Sequence, residues 1–403
     1  MIVFRRLSAL VAAACARGRA PAAGQAVDAP AFTIRLSLKS SALLTRAPDD
    51  PLLFPDRETA TGFWRFRLEP SAAISDSVGV DVAVEQRLRL FSSPQTTVGA
   101  GVLPSDASAP FRVRALDWRV ASGANAEWRA EIDRAAVHAQ IARATVTVGR
   151  QAIGWGRGVL FGAVDLFAPF TPLEADREWR RGVDAVRADV KLTNRTSFDV
   201  VGAFGPTIGA SAFAARLRGY ARQVDLELVA GRRAEDPFAG VTSSVAVGDV
   251  EIHGEAARFG GVMKALAGGS YQFPIGNGLL VYAEYHYSGY GAPTPDAIVR
   301  QLQDPAFQLR YLRGDTQILG RHAIGVLASY EWSPELSGSG EWLQSPADGS
   351  GVAVPSLTFT TSDRWSMVIS GYVPFGRQPA GATLGSEFGA SPLALFVQLK
   401  WYR

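Results

Sequence analysis

The sequence has no run of 18 or more apolar residues, which excludes an ordinary membrane-spanning helix. It has one cysteine, Cys15, close to the start, so the body of the chain carries neither a disulfide nor thiolate chemistry. Only four histidines occur, His138, His253, His286 and His322. No two of them stand at metal-ligand spacing on a strand or helix, so no metal or other cofactor is expected. There is no Gly-x-Ser-x-Gly elbow for a serine nucleophile. Charge of one sign is also missing: 41 basic residues stand against 38 acidic ones. The two signs are interleaved throughout, which speaks against a nucleic-acid partner. The basic residues are mostly arginine, a bias that genomic base composition produces and that marks no site by itself.

The first residues do have a pattern. Arg5 and Arg6 precede the apolar stretch from Leu7 to Ala16, the order of a secretory signal. Gly24 and Ala26 supply small residues for cleavage after Ala26, so residues 1–26 are expected to be a signal peptide and 27–403 one domain. Arg17-Gly18-Arg19 sits awkwardly in such a signal. A lipid-modified Cys15 is the alternative, although Ala12, Ala13 and Ala14 lack the usual leucine before it.

Alternation dominates the rest. Phe32, Ile34, Leu36 and Leu38 alternate with Thr33, Arg35, Ser37 and Lys39, and Trp64, Phe66 and Leu68 with Arg65, Arg67 and Glu69. Val78, Val80, Val82 and Val84 alternate with Asp81, Ala83 and Glu85, and Leu88 and Leu90 keep that parity past Arg87 and Arg89. Val186, Ala188, Val190 and Leu192 face away from Arg187, Asp189 and Lys191, as Val224, Leu226 and Leu228 do from Asp225 and Glu227. Successive side chains on a strand point to opposite faces, so each segment has one oily and one charged face. A soluble sandwich alternates too. Strands of about 9–13 residues suit a tilted bilayer crossing instead. Trp64, Trp128, Tyr285, Tyr287, Trp342, Trp365 and Trp401 lie near strand ends, where interfacial girdles belong. The expected fold is an all-β, antiparallel, up-and-down transmembrane barrel of about 16–18 strands. Roughly 19 strand-like segments can be counted where an even number is required, and the surplus falls between residues 91 and 153. A parity flip between Ile132 and Val137 suggests a bulge. Tight turns fit Thr193–Thr196, Gly248-Asp249, Ser333-Pro334 and Ser362-Asp363. Longer loops fit 41–61, 91–110, 291–316 and 375–391, so an asymmetry of short and long connections is expected in the C-terminal half only. The last strand, with Leu393, Leu395, Val397, Leu399 and Trp401 on one parity, reads as a signal for the barrel-assembly machinery, although Arg403 follows its aromatics.

Residues 149–184 break the alternation. They contain Gly149-Arg150-Gln151, Trp155-Gly156, Asp165-Leu166-Phe167-Ala168-Pro169-Phe170 and Asp176-Arg177-Glu178. This string, with the ending from Ser386-Glu387-Phe388-Gly389 to Lys400, resembles a poorly characterised family of bacterial outer-membrane barrels, porin-like and export-type. The resemblance implies a barrel in the outer membrane and no particular substrate. A phosphate loop is a poor reading of Gly154, Gly156 and Gly158, since no Lys-Ser/Thr pair follows. The apolar residues of the segment are too interrupted to span lipid, so it is expected to fold inward or to cap one mouth, near 153–182. Folding inward would put Arg150, Arg157, Asp165, Asp176, Arg177, Glu178, Arg180, Arg181 and Asp184 at a pore constriction; mutual pairing that braces the wall is compatible with this. The expected function is passage of small polar or anionic solutes, sugar-like ones included. Outer-membrane lipids, lipopolysaccharide and the assembly machinery are the expected partners. A non-conducting adhesion or scaffold barrel is the alternative, and an enzyme built on His253 with Glu251 and Glu255, or on His286 with Glu284, is a further one. No catalytic residue is assigned. Val80, Val82 and Val84 are expected to face lipid, and an arginine at Ala83 is expected to be silent.

Overall fold

A computed structural model describes residues 32–93, 101–104, 109–381 and 383–403. The expected signal at 1–26, with Cys15, and parts of the 91–110 loop lie outside the described residues. Among the described residues, nineteen strands form one antiparallel sheet. The first six are β1 (Phe32–Arg46), β2 (Glu58–Ser75), β3 (Val78–Phe91), β4 (Asp117–Gly123), β5 (Ala126–Ile141) and β6 (Ala144–Gln151). Then follow β7 (Val183–Lys191), β8 (Thr196–Ala203), β9 (Ala212–Ala221), β10 (Val224–Arg233), β11 (Asp236–Val247), β12 (Val250–Phe259) and β13 (Val262–Phe273). The last are β14 (Leu279–Ser288), β15 (His322–Ser333), β16 (Leu336–Gln344), β17 (Gly351–Ser362), β18 (Trp365–Phe375) and β19 (Leu393–Tyr402). Two short helices, α1 (Pro295–Gln303) and α2 (Pro305–Leu312), lie between β14 and β15.

Each strand pairs with its sequence neighbour, and β19 pairs with β1 from Ser37–Tyr402 to Arg46–Leu393, which closes the ring. The exception is β4. Among the described residues it pairs with β5 alone, while β3 pairs directly with β5. The wall therefore has 18 strands, and the surplus segment is the short one at Asp117–Gly123. The parity flip on β5 is a bulge. Ala83 faces Arg134 while Val84 faces Ile132, which leaves Asp133 as the extra residue. The bulge turns the Asp133 carboxylate to the inside, where Arg67 Nη1 donates to it at 2.8 Å and Gly182 N at 2.9 Å.

Connections divide by end over the whole length. One end carries only short turns: 76–77, 142–143, 192–195, 222–223, 248–249, 274–278, 334–335 and 363–364. The opposite end carries every long loop. This corrects the expectation that the asymmetry holds only in the C-terminal half. In the N-terminal half it was hidden because β1 and β2 run well past a membrane's thickness and β4 mimics an ordinary strand.

The faces are inverted relative to a soluble protein. Leu38, Phe66, Leu88, Trp128, Val186, Leu226, Ile252, Tyr285, Trp342 and Leu399 are exposed on the outside. Lys39, Arg65, Arg67, Arg87, Glu131, Glu255 and Glu284, at the other parity, are buried inside. A closed ring with an oily exterior satisfies every wall hydrogen bond without water, as a membrane requires. The protein is a transmembrane β-barrel of the outer-membrane type. Val80, Val82 and Val84 take the lipid parity. Ala83 takes the lumen parity but is 1% exposed, so an arginine there has no space, contrary to the expected silence. The protein should fractionate with outer membranes and migrate on gels in a heat-modifiable way. Recovery as a soluble periplasmic monomer would refute the barrel.

Candidate functional site

The site is built from two parts, a row of basic side chains on the inner wall and the β6–β7 loop that lies against it. Register makes the row. Lys400 stands opposite Lys39, Lys39 opposite Arg65, Arg65 opposite Arg87, and Arg87 opposite Arg129, across β19, β1, β2, β3 and β5. Like charges directly opposite one another repel, so the row persists only with carboxylates among it. Two come from the loop: Asp176 lies 2.7 Å from Lys39 Nζ and 3.2 Å from Arg65 Nη1, and Glu178 lies 2.8 Å from Lys39 Nζ. The others come from neighbouring strands. Glu85 meets Arg65 at 2.8 Å, Glu131 meets Arg87 at 2.5 Å, and Asp117 meets Arg129 at 2.8 Å. Burial alone would raise the Asp176 carboxyl, but Lys39 and Arg65 hold it well below the usual carboxylate range. The Trp179 ring lies under Lys39 Nζ at 3.7 Å and near the Arg65 guanidinium at 4.7 Å, a favourable arrangement for cations over an aromatic face.

The loop packs against two sectors of the wall. Ile153, Trp155, Val164, Leu166 and Phe167 join a buried cluster with Val201, Ala214, Val229, Phe238 and Phe259 of the β8–β12 sector. Leu160, Phe161 and Ala163 join another with Leu43, Phe63, Leu343, Val352 and Phe396 of the sector from β16 round to β2. Burying each large apolar side chain contributes about 1.5–3 kcal/mol. Between these anchors the loop backbone has no regular partners. Two glutamates of the wall take its amides instead. Glu255 on β12 accepts from Arg157 N, from Gly158 N and Ala163 N at 2.8 Å, and from Val164 N at 3.0 Å. Glu284 on β14 accepts from Val159 N at 2.6 Å, Leu160 N at 3.0 Å and Phe161 N at 3.1 Å. The glycines permit this approach. Gly156 has φ +107°, and a Cβ there would lie 2.8 Å from Glu255 Oε1. At Gly158 a Cβ would meet Leu266 at 2.8 Å and collide with the Phe161 carbonyl.

Seven of the nine candidate residues lie on this loop and all seven have partners. Arg157 pairs with Asp225 and lies 3.3 Å from Glu227. Arg180 pairs with Asp165 and packs over Phe170. Arg181 is 3.4 Å from Glu131. Arg177 donates to the Val159 and Pro172 carbonyls and is 3.6 Å from Glu341. Asp176 and Glu178 meet the basic row, where Glu178 also accepts from Tyr402 Oη at 2.6 Å. Arg150 and Asp184 are elsewhere. They belong to β6 and β7, stand opposite each other on the parity of Val148 and Val186, and pair at 2.7 Å. The carbonyls of Arg114 and Ala115 accept from Arg150, and Val113 N donates to Asp184 at 2.9 Å, so this pair ties the wall to the chain before β4. Lys39, Lys400, Arg65, Arg87 and Arg129 are not among the candidates drawn from the sequence, because only register aligns them. In the sequence Glu255 and Glu284 stand out only as neighbours of histidines. In the structure His253 bridges Glu251 (2.9 Å) and Glu284 (3.0 Å), which orients the carboxylate that holds the loop.

A closed, antiparallel wall of 18 strands is a fold shared with solved outer-membrane porins. No protein-family model matches the sequence, and no curated protein matches it. Solved structures do. OccK9 (OpdG) of Pseudomonas aeruginosa superposes with a TM-score of 0.59 at 10% identity, over 92% of this chain and 98% of that one. A BenF-like porin from Pseudomonas fluorescens gives 0.55 at 9% identity, over 93% and 98%. OpdK of Pseudomonas aeruginosa, solved with vanillate, gives 0.51 at 10% identity, over 92% and 98%. At such identities the likeness is one of fold.

Proposed function

We propose that the chain is a passive channel for small polar or anionic solutes, narrowed by the 152–182 loop. The observation that carries this reading is the row Lys400–Lys39–Arg65–Arg87–Arg129 running around the inner wall beside the loop. Fixed positive charge in a narrow, partly dehydrated passage concentrates anions and repels cations. The carboxylates interleaved with the row offset much of that field, so the preference for anions is weak. The vanillate bound to the structurally similar OpdK is a small organic anion and supports that class of solute. Toward the end with short turns the inner face of β16–β18 bears Ser337, Ser339, Ser356, Thr358 and Ser366, a lining that also admits neutral, sugar-like solutes. Lipopolysaccharide against the outer surface, and the assembly machinery at the end of β19, are inferred partners. On β19, Trp401 takes the outward parity while Tyr402 turns in to Glu178, so Trp401 supplies the outward-facing aromatic.

Ion current across a planar bilayer tests the channel, and reversal potential under a salt gradient tests its selectivity. Replacing Arg177, Arg180 and Arg181 together by Gln removes three cations and leaves Glu341, Asp165 and Glu131 without them, so the reversal potential should move toward cations. Unchanged selectivity and conductance would leave the loop outside the solute path.

A further inference from the structure

One pocket at the rim of the barrel is lined by cations and lies beside the lipid face. Arg46 ends β1 on the outward parity of Leu38 and Leu44. It stands opposite Leu393 at the start of β19 and Glu58 at the start of β2. Phe375 ends β18, and its ring lies 4.5 Å from that of Trp342, which is exposed on the outside. All these positions are at the end with the long loops, which is the external end in outer-membrane barrels. A pocket of about 310 Å³ is set among them. Arg46, Arg57, Gln378 and Ser391 give it a polar side, and Phe375 and Leu393 give it an apolar one.

The two arginines have donors to spare. Arg46 Nε reaches Glu58 only at 3.7 Å, and Arg57 Nη1 reaches Asp49 only at 3.5 Å. Both are longer than a hydrogen bond of about 2.7–3.2 Å. All four side chains are largely exposed, and exposed pairs of this kind contribute little. Neither carboxylate lines the pocket. Arg57 Nε donates to the Ala47 carbonyl at 3.3 Å, which steadies its guanidinium on the β1–β2 loop. A guanidinium carries five N–H donors in a fork that matches phosphate oxygens. Two of them on one pocket suit a ligand with concentrated negative charge. The height of the pocket points to a lipid. Aromatic side chains of the girdle mark the level of the headgroups, and Trp342 and Phe375 are at that level. Below them Leu44 and Leu395 continue the exposed oily face. The volume is at the small end of the range of about 300–1,000 Å³ for small-molecule sites, enough for a phosphate and part of the group that carries it.

We propose that Arg46 and Arg57 form a headgroup site for a phosphorylated glycolipid of the outer leaflet. The two guanidinium groups take a phosphate, and Gln378 and Ser391 take hydroxyls of the sugar that bears it. The acyl chains descend over Leu393, Leu395 and Leu44. The site rests on the lipopolysaccharide contact inferred above and gives that contact a place on the wall. It does not depend on conduction, so a protein that passes no current would still bind the lipid here.

The probe is purified lipid A, compared with its dephosphorylated form and with sodium phosphate at the same phosphate concentration. The readout is the midpoint of heat-modifiable unfolding of the purified, detergent-solubilised protein. A ligand bound only by the folded state raises that midpoint with its concentration. The wild type should be stabilised by lipid A, clearly less by the dephosphorylated form, and not by sodium phosphate. Arg46→Gln combined with Arg57→Gln should have an unchanged midpoint without lipid, because only exposed pairs are lost. It should need about tenfold or more lipid A for the same rise, and Arg57→Gln alone should fall between. Two control variants remove the same charge elsewhere. One is Arg195→Gln with Arg222→Gln in the short turns; the other is Arg232→Gln with Arg258→Gln on the outward parity of β10 and β12. Both should respond like wild type. Equal lipid A responses of wild type and the Arg46/Arg57 variant would overturn the site and leave the lipid contact standing, as would equal responses to the two forms of the lipid. No response of wild type would overturn both. An equal loss in the Arg232/Arg258 variant would overturn the pocket in favour of diffuse charge around the rim. Stabilisation by sodium phosphate equal to that by lipid A, and dependent on Arg46 and Arg57, would overturn the lipid as the ligand.

Discussion

Glu255→Gln combined with Glu284→Gln should free the inner loop from the wall. Each carboxylate receives three or more backbone amides from residues 157–164. Both lone-pair-rich oxygens are needed, since every incoming group is a donor. Glutamine presents one oxygen and one NH2, so about half of the contacts become donor against donor. Leaving a buried amide unsatisfied costs about 1–3 kcal/mol, and bonds to a charged acceptor are the stronger kind. The double variant should lose on the order of 4 kcal/mol or more of loop attachment by that scale, while the wall, whose ladder bonds are untouched, stays closed. Hydrogen exchange at 157–164 should accelerate by orders of magnitude, protease cleavage should appear within that stretch, and single-channel current should become noisy. The heat-modifiable shift should remain. Exchange at 157–164 indistinguishable from wild type would show that the apolar anchors Trp155, Phe161, Leu166 and Phe167 hold the loop alone.

How much of this was legible in the sequence depends on the range of the interactions involved. Alternation is local, so the inner and outer faces of β1, β2, β3, β7 and β10 could be assigned directly, and the bulge at Asp133 announced itself as a change of parity. The extent of the break at 149–184 was legible for the same reason. What the loop touches was not. Glu255 and Glu284 lie about a hundred residues from the amides they hold, and nothing local marks them out from other lumen carboxylates. The basic row shows the same limit. Lys39, Arg65 and Arg87 could each be assigned to the lumen, yet a slip of two residues between β1 and β2 would keep every face assignment and destroy the row. Arg150 and Asp184 were grouped with the loop because they flank it in sequence. The positive φ of Gly149 (118°) and the cover supplied by residues 113–115 place them in the wall instead.

The wall itself yields the other large effect. Leu357 and Thr358 are adjacent on β17 and point to opposite sides, Leu357 to the lipid with 41% exposure and Thr358 to the lumen. Leu357→Arg places a guanidinium in hydrocarbon near the middle of a 12-residue strand, at a cost of about 2–4 kcal/mol. Thr358→Arg extends into a lumen lined by Ser337, its cross-strand partner, and other small polar residues, and should cost less than about 1 kcal/mol. The same comparison on β3 comes out differently. Val84→Arg should carry the lipid penalty, but Ala83→Arg should be costly as well. Ala83 is packed shut beside the bulge with Arg134 as its cross-strand partner, so a second guanidinium there meets both a steric and a like-charge barrier. Folding into lipid vesicles, followed by urea unfolding, measures all four variants on one scale. The expected order is a large loss for Leu357→Arg, Val84→Arg and Ala83→Arg and almost none for Thr358→Arg. Similar losses at Leu357 and Thr358 would mean that the two faces of β17 are not lipid and lumen. A silent Ala83→Arg would mean that the interior beside Asp133 is open to water, and the packed wall around the basic row would have to be redrawn as a wide aqueous passage.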